Sequence, residues 1–504
     1  MQRILIRIVA LLALTVNGIA VGFVSSAPLA SPTFQPTVSD WQFLSSSTTP
    51  PTAAQCASVG RRCFVPVAMA NSYNYAGLLA GGNQGQGITI AVVDSFGSDT
   101  IRHDLHVFDQ AFGLQAMCGE EGVTCASGMP TFSVFSLQGT VPTDSQPGQS
   151  NGTGQESHSI WALEVSLDVE WAHATAPKAN ILLVTTPTAE TLGLQGIPQM
   201  MNAIQYVVDN HLADVISMSF GTGEGAFNGG LASLLNNRQG FMDAQSNRVT
   251  LFASSGDGGT TNAMKEPVKN PALIPYPSVI WPGSDPLVTS VGGTYLCMDA
   301  VTGTFINTVD PPVRCQPARN PTGDRETGWV ASGGGYSILF PKPSFQNTLP
   351  PGSTFVGSSA GAPGPNSNMR GIPDVAYQAS ATTGVLVYIT LPPDGTSGLR
   401  CGAVACSTGW YDVGGTSASS PQWAGLIAIA DQMAGHDLGY INPALYQIAN
   451  NPSQYASDFY DVTKNCNQQS SIPGYCASTG WDAVTGLGTP NAANLLPDLI
   501  AALP

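Results

Sequence analysis

Three short segments of the chain carry side chains suited to nucleophilic or acid–base chemistry. In GGTSASSP at 414–421, two glycines precede a serine at the start of an apolar helix. That order gives the backbone room to turn sharply and sets the Ser417 oxygen beside unpaired helix N–H groups, which favour developing negative charge. A Ser/Thr helix cap has the same composition. A serine hydroxyl is a poor nucleophile until a base takes its proton, and the chain offers two bases. Glu164 and Asp168, in EVSLDVEWAHATAPKANI, sit four residues apart and so share one helix face. Their neighbours Trp161, Leu163, Leu167 and Trp171 imply burial, so desolvation and mutual repulsion make the pair share a proton and raise at least one pKa. The second base is His158, which with Asp94 and Ser417 gives an Asp–His–Ser order along the chain. The third segment, SSGDGG at 254–259, ends a strand in a glycine-flanked acid. Beside a reacting carbonyl Asp257 helps only when protonated, as a donor to the oxyanion, which favours acidic pH. An aspartate bonding its own turn has the same local pattern.

Side chains so far apart in sequence need a fold to collect them. Strand-length apolar runs at 88–94, 180–186, 214–220, 250–256 and 287–293 alternate with helical patterns at 158–174, 197–211 and 417–433. Within 197–211, Ile197, Met201, Ile204 and Val208 recur at helical spacing. Such alternation predicts an α/β fold whose sheet is mainly parallel, with helices on both faces. Functional groups in such sheets gather at the carboxyl ends of strands, where Asp94, Asp257 and Ser417 fall.

The balance of 33 acidic against 17 basic residues, net charge −16, excludes nucleic acid as a partner. With charged residues at only 10 % of the chain, the composition suits an acidic medium, in which carboxylates protonate and self-repulsion falls. Arg3 and Arg7 ahead of an apolar run to Val24 and a small-residue close give residues 1–30 the layout of a secretory signal peptide, with no membrane association after its removal. Residues 31–70, rich in Ser, Thr and Pro, read as an extended segment before a domain over 71–504. Ten cysteines behind an export signal form five near neighbours, read as local disulfides: Cys56 with Cys63, Cys118 with Cys125, Cys297 with Cys315, Cys401 with Cys406, and Cys466 with Cys476. Asn151 opens a glycosylation sequon. His103 and His106 lack the spacing of a zinc peptidase.

Together with ANSYNYAGLLAGGNQGQGITIAVVD, YPSVIWPGSDPLVTSVGGT, SGGGYS, RGIPDVAYQA and YINPALYQ, which follow in family order, these segments make the chain resemble the sedolisins, serine-carboxyl peptidases with the subtilisin fold, over roughly residues 70 to 504. The resemblance implies Ser417 as nucleophile, Glu164 as general base, Asp168 as its carboxyl partner and Asp257 as oxyanion donor. It places Asp94 where relatives often carry glutamate and Phe220 where some carry tryptophan. FYDVTKNCN and ASTGWDAVTGLGTP resemble the family's calcium site, with carboxylates from Asp461 and Asp482 and carbonyls from Val462, Ser478 and Gly480. The expectation is a secreted, monomeric, acid-active endopeptidase acting on proteins or peptides. The alternatives are a neutral hydrolase using Asp94, His158 and Ser417, or a catalytically silent secreted binding protein on the same fold.

Overall fold

The computed structural model describes residues 35–36 and 40–503, apart from 138–157, 187–195, 228–229, 263–272, 307–310, 354–355, 358–367, 392–399, 402–403, 406 and 470. The signal-like stretch, the Asn151 sequon and Cys406 lie outside these residues.

An eight-stranded sheet forms the centre. From edge to edge its strands are Glu326–Gly328, Thr289–Leu296, Thr250–Ser254, Val215–Met218, Thr89–Ser95, Asn180–Thr186 and Phe132–Ser136, with Val375–Gln378 also paired to Thr289–Leu296. The pairings are parallel except that of Glu326–Gly328 with Thr289–Leu296. Alternation along each strand explains the layers. In Thr89–Ser95, Ile90 and Val92 enter one core with Leu105 and Phe108 of helix Ile101–Phe112 and with Leu163 and Leu167 of helix His158–Thr175. Ala91 and Val93 enter the opposite core with Ile197, Met201, Ile204 and Val208 of helix Gly196–Asp209. Strand side chains alternate in direction, so burial of both sets requires helices on both faces, as the sequence pattern predicts.

One expectation fails at the N-terminal side. Residues 31–70 are not an extended prelude to the domain; from residue 40 they are part of it. Strand Asp40–Ser45 pairs antiparallel with Gly409–Gly414, and helices Ala53–Ser58 and Pro66–Ser72 follow, with Cys56, Phe64 and Met69 in the main core. The segment looked unstructured because its elements are short and its apolar residues few, so long-range pairing with 409–414 decides its conformation. Arg61 fastens this strand, lying 3.0 Å from Asp40 and 3.5 Å from the buried Asp412. Arg61→Ala would leave Asp412 buried without its cation and is expected to cost about 2–4 kcal/mol in a urea-unfolding measurement.

Four of the five expected disulfides are present, Cys56–Cys63, Cys118–Cys125, Cys297–Cys315 and Cys466–Cys476. The fifth pair includes Cys406 and is therefore not described.

Candidate active site

Helix His158–Thr175 is buried on nearly every side, which is why its apolar residues show no single stripe. It packs between the sheet and helix Ser419–Ala434 and carries Glu164 and Asp168 into the interior, both fully buried. The sequence implied burial of this pair, and the structure makes it complete. Burial raises Glu164 well above the ordinary carboxylate range, with Asp168, Asp94 and Asp257 adding repulsion, while a hydrogen bond from Ser417 acts the other way. Asp168 is raised by burial and then by Asp94, opposed by the Ser219 hydroxyl. Asp94 is pushed up to about 8 by burial, and its carboxyl has no hydrogen-bond partner among the described residues. Such a group is neutral over the acidic range.

Ser417 arrives from the other side. Strand Gly409–Gly414 ends beside Gly415, whose φ of +130° suits glycine and turns the chain towards the helix. The helix begins at Ser419, two residues later than the sequence suggested. Its first N–H groups are not left open beside Ser417: Ala418 N–H donates to the Gly415 carbonyl at 3.0 Å, and those of Ser419 and Ser420 donate to Thr416 at 3.1 and 3.2 Å. The expected help from these helix N–H groups is therefore spent within the turn.

Asp257 lies against the same turn. It follows strand Thr250–Ser254, and its Oδ1 accepts from Thr416 N–H at 2.8 Å and from the Thr416 hydroxyl at 2.9 Å, one residue before Ser417. Gly256 N–H donates to the same hydroxyl at 3.1 Å. A side chain at Gly333 would lie 1.9 Å from the Ser255 carbonyl, so SGGGYS leaves space for this loop.

Glu164, Asp168, Asp257 and Ser417 thus meet at one place, with Asp94 behind them. His158 begins the same helix as Glu164, and its side chain is outside the described residues. Six residues of helix set the two positions about 9 Å apart along the axis and about 120° apart around it. Two contributors were not assigned from the sequence. Ser219 donates from its hydroxyl to Asp168 Oδ1 at 2.9 Å, and its carbonyl lies 3.5 Å from Ser417 Oγ. Its only sequence signal is its place just past strand Val215–Met218, at the carboxyl end of the sheet. Thr416 was quoted only as part of the GGTSASSP motif.

The neighbouring strand Phe220–Gly223 also pairs antiparallel with Gln35–Pro36 of the chain's own N-terminal region.

Away from this centre, Asp461 and Asp482 close on one loop. Gly480 N–H donates to Asp461 at 3.1 Å and Ser478 N–H to Asp482 at 3.0 Å, while Val484 and Thr485 N–H groups hold the other Asp482 oxygen. Burial first, with Asp461 among the further causes, pushes Asp482 up to about 7. The polar atoms here are oxygens, the donor type a hard divalent cation takes, though each oxygen of the two carboxylates already accepts a hydrogen bond, with the Tyr455 hydroxyl 3.1 Å from Asp461. Among the described residues no group of three or more His, Cys, Asp or Glu side chains could hold a metal, so backbone carbonyls such as those of Val462, Ser478 and Gly480 would have to complete the shell.

Comparison with known proteins gives the family and the fold. The model of the subtilase family matches residues 85–444. Kumamolisin of Bacillus sp. (strain MN-32) is 29 % identical over 458 residues, covering 89 % of this chain and 65 % of that protein. Tripeptidyl-peptidase 1 of Canis lupus familiaris is 28 % identical over 372 residues, 69 % of this chain and 53 % of that one. The chain therefore spans less than two thirds of the length of either relative. Among solved structures, Pseudomonas sedolisin, a serine-carboxyl proteinase complexed with two molecules of pseudo-iodotyrostatin, superposes with a TM-score of 0.59 at 24 % identity, covering 87 % of this chain and 98 % of that one. That likeness establishes the fold.

Proposed function

The chain belongs to the subtilase family, and from that premise we propose that it is a secreted serine-carboxyl endopeptidase active at acidic pH. The observation that carries the proposal is the meeting of Ser417 with a buried carboxyl pair, Glu164 and Asp168, where an imidazole base would otherwise stand. The Ser417 oxygen attacks the scissile carbonyl carbon while Glu164 takes the hydroxyl proton. Asp257, protonated, donates a hydrogen bond to the oxyanion. The tetrahedral adduct collapses, the C–N bond breaks, and Glu164 returns the proton to the leaving amine. Water then attacks the acyl-enzyme through the same base and frees Ser417. Asp168 orients Glu164 and shares its proton. The substrate backbone takes the edge of Phe220–Gly223 that Gln35–Pro36 now covers.

A carboxyl pair that shares one proton keeps its other member ionised as the base in acid, where a histidine of pKa about 6.5 would already be protonated. Digestion of an unfolded protein by the purified chain across pH 2 to 8 is expected to peak at roughly pH 3 to 5. A maximum above pH 7 would exclude the glutamate base and restore an imidazole. Cleavage of internal bonds in an N-terminally blocked peptide separates an endopeptidase from an enzyme that releases tripeptides.

Export to an oxidising compartment is supported by the four disulfides, and no helix among the described residues is long and apolar enough to cross a membrane. The protein acts as a monomer on protein or peptide substrates. One calcium ion, held by Asp461, Asp482 and the carbonyls of Val462, Ser478 and Gly480, would neutralise the two acids and stiffen the C-terminal loop. Chelation with EGTA is expected to lower the thermal midpoint by several degrees, with calcium but not magnesium restoring it. An unchanged midpoint would remove the ion from the account.

A further inference from the structure

Ser219 touches both halves of the proposed machinery and has no part in the chemistry described above. It is fully buried between strands Val215–Met218 and Phe220–Gly223. Its hydroxyl donates to Asp168 Oδ1 at 2.9 Å, and its carbonyl lies 3.5 Å from Ser417 Oγ. The other Asp168 oxygen, Oδ2, is buried and accepts no hydrogen bond among the described residues. A carboxyl with one oxygen occupied by a donor carries or accepts a proton at the other oxygen, because a protonated Oδ1 would face the incoming O–H. We propose that Ser219 is a positioning residue: by occupying Asp168 Oδ1 it directs the proton shared with Glu164 to Oδ2, and it fixes the Asp168 side chain relative to the Ser417 hydroxyl.

The groups facing Asp168 are Glu164 on its own helix, Asp94 on strand Thr89–Ser95 and Ser219, with Asp257 acting on Glu164 from beyond. Burial and the neighbouring carboxyls raise both acids, and among the described residues the Ser219 hydroxyl is the influence that favours an ionised Asp168. Loss of that donor makes the buried pair hold its proton to higher pH.

This inference rests on the proposed function. Ser219→Ala is expected to lower kcat about tenfold with KM within twofold of the parent, and to move the acidic limb of the kcat–pH profile upward by roughly half to one unit. In an Asp168→Asn background the same change is expected to alter the residual kcat by less than twofold, because both act through one carboxyl. A uniform loss at all pH values with an unmoved limb, or the same factor in both backgrounds, would make Ser219 purely structural and overturn the proposal. If the alanine variant lacks a cooperative thermal transition, Ser219→Cys, a weaker donor of similar size, carries the same comparison with a smaller upward shift expected. If the parent chain has no acid proteolysis that Ser417→Ala removes, the proposed function itself fails, a result distinct from an unmoved limb in an active enzyme.

Discussion

Glu164→Gln is expected to lower kcat for acid proteolysis by roughly 10²- to 10⁴-fold while leaving KM within a few-fold, and Ser417→Ala to lower it further still. Glutamine keeps the size and buried position of the side chain but cannot take the serine proton. Asp168 cannot replace it, since it stands a helical turn away on the same helix and is held by Ser219. Both variants retain the packing of helix His158–Thr175, so circular dichroism and the thermal midpoint at pH 4 should match the parent closely. The measurement is steady-state kinetics on a peptide substrate at the pH optimum. A glutamine variant retaining more than a tenth of the parent kcat would show that another group takes the proton. A fully active Ser417→Ala would mean that another group is the nucleophile, whereas a parent chain with no acid proteolysis for this change to abolish would leave a binding protein on a peptidase fold.

Stability should fall steeply as the medium is made neutral. Asp94 and Asp431 are each pushed up to about 8, Glu120 to about 7 and Asp104 to about 6, burial being the first cause in every case. Glu164, Asp168, Glu170 and Asp412 are raised well above the usual range for the same reason. In the unfolded chain these groups ionise near pH 4. A folded-state pKa above the unfolded one contributes stability that is complete below about pH 4 and is lost as pH rises through the folded value, so the window runs from about 4 to 8. His173, raised by Asp109 against the opposing effect of burial, changes in the same direction. Asp299 and Asp324 are lowered and change oppositely, but both are largely solvated and weigh little. Each unit of displacement is worth about 1.4 kcal/mol, so a few such groups approach the whole stability of a domain. Thermal unfolding followed by circular dichroism is expected to show the midpoint falling by at least about 10 °C between pH 4 and pH 8. An equal or higher midpoint at pH 8 would mean that these carboxyls ionise inside the fold at little cost.

The two expectations meet at the Glu164–Asp168 pair: the chemistry needs one member of the pair ionised, while the other buried carboxyls make the folded chain most stable when they are protonated. Glu120 and His173 extend the stability trend beyond the site, with His106 3.0 Å from Glu120 and Asp109 3.1 Å from His173.

Much of this was legible in the residues themselves. The period of Ile197, Met201, Ile204 and Val208 and the alternating apolar runs determined the layered fold, because helices and strands must each bury a fixed set of positions. The four-residue spacing of Glu164 and Asp168 determined that they share a face, since the pitch of a helix is a local property. Tertiary structure decided what local rules could not reach. Residues 40–72 joined the domain through pairing of Asp40–Ser45 with Gly409–Gly414, more than 360 positions away in the chain. The turn at Thr416 consumed the helix N–H groups that the sequence appeared to offer Ser417, and only folding set the Ser219 hydroxyl against Asp168. Local periodicity specifies which side of an element faces inward; which atoms meet there depends on contacts between segments distant in sequence, whose geometry no short motif contains.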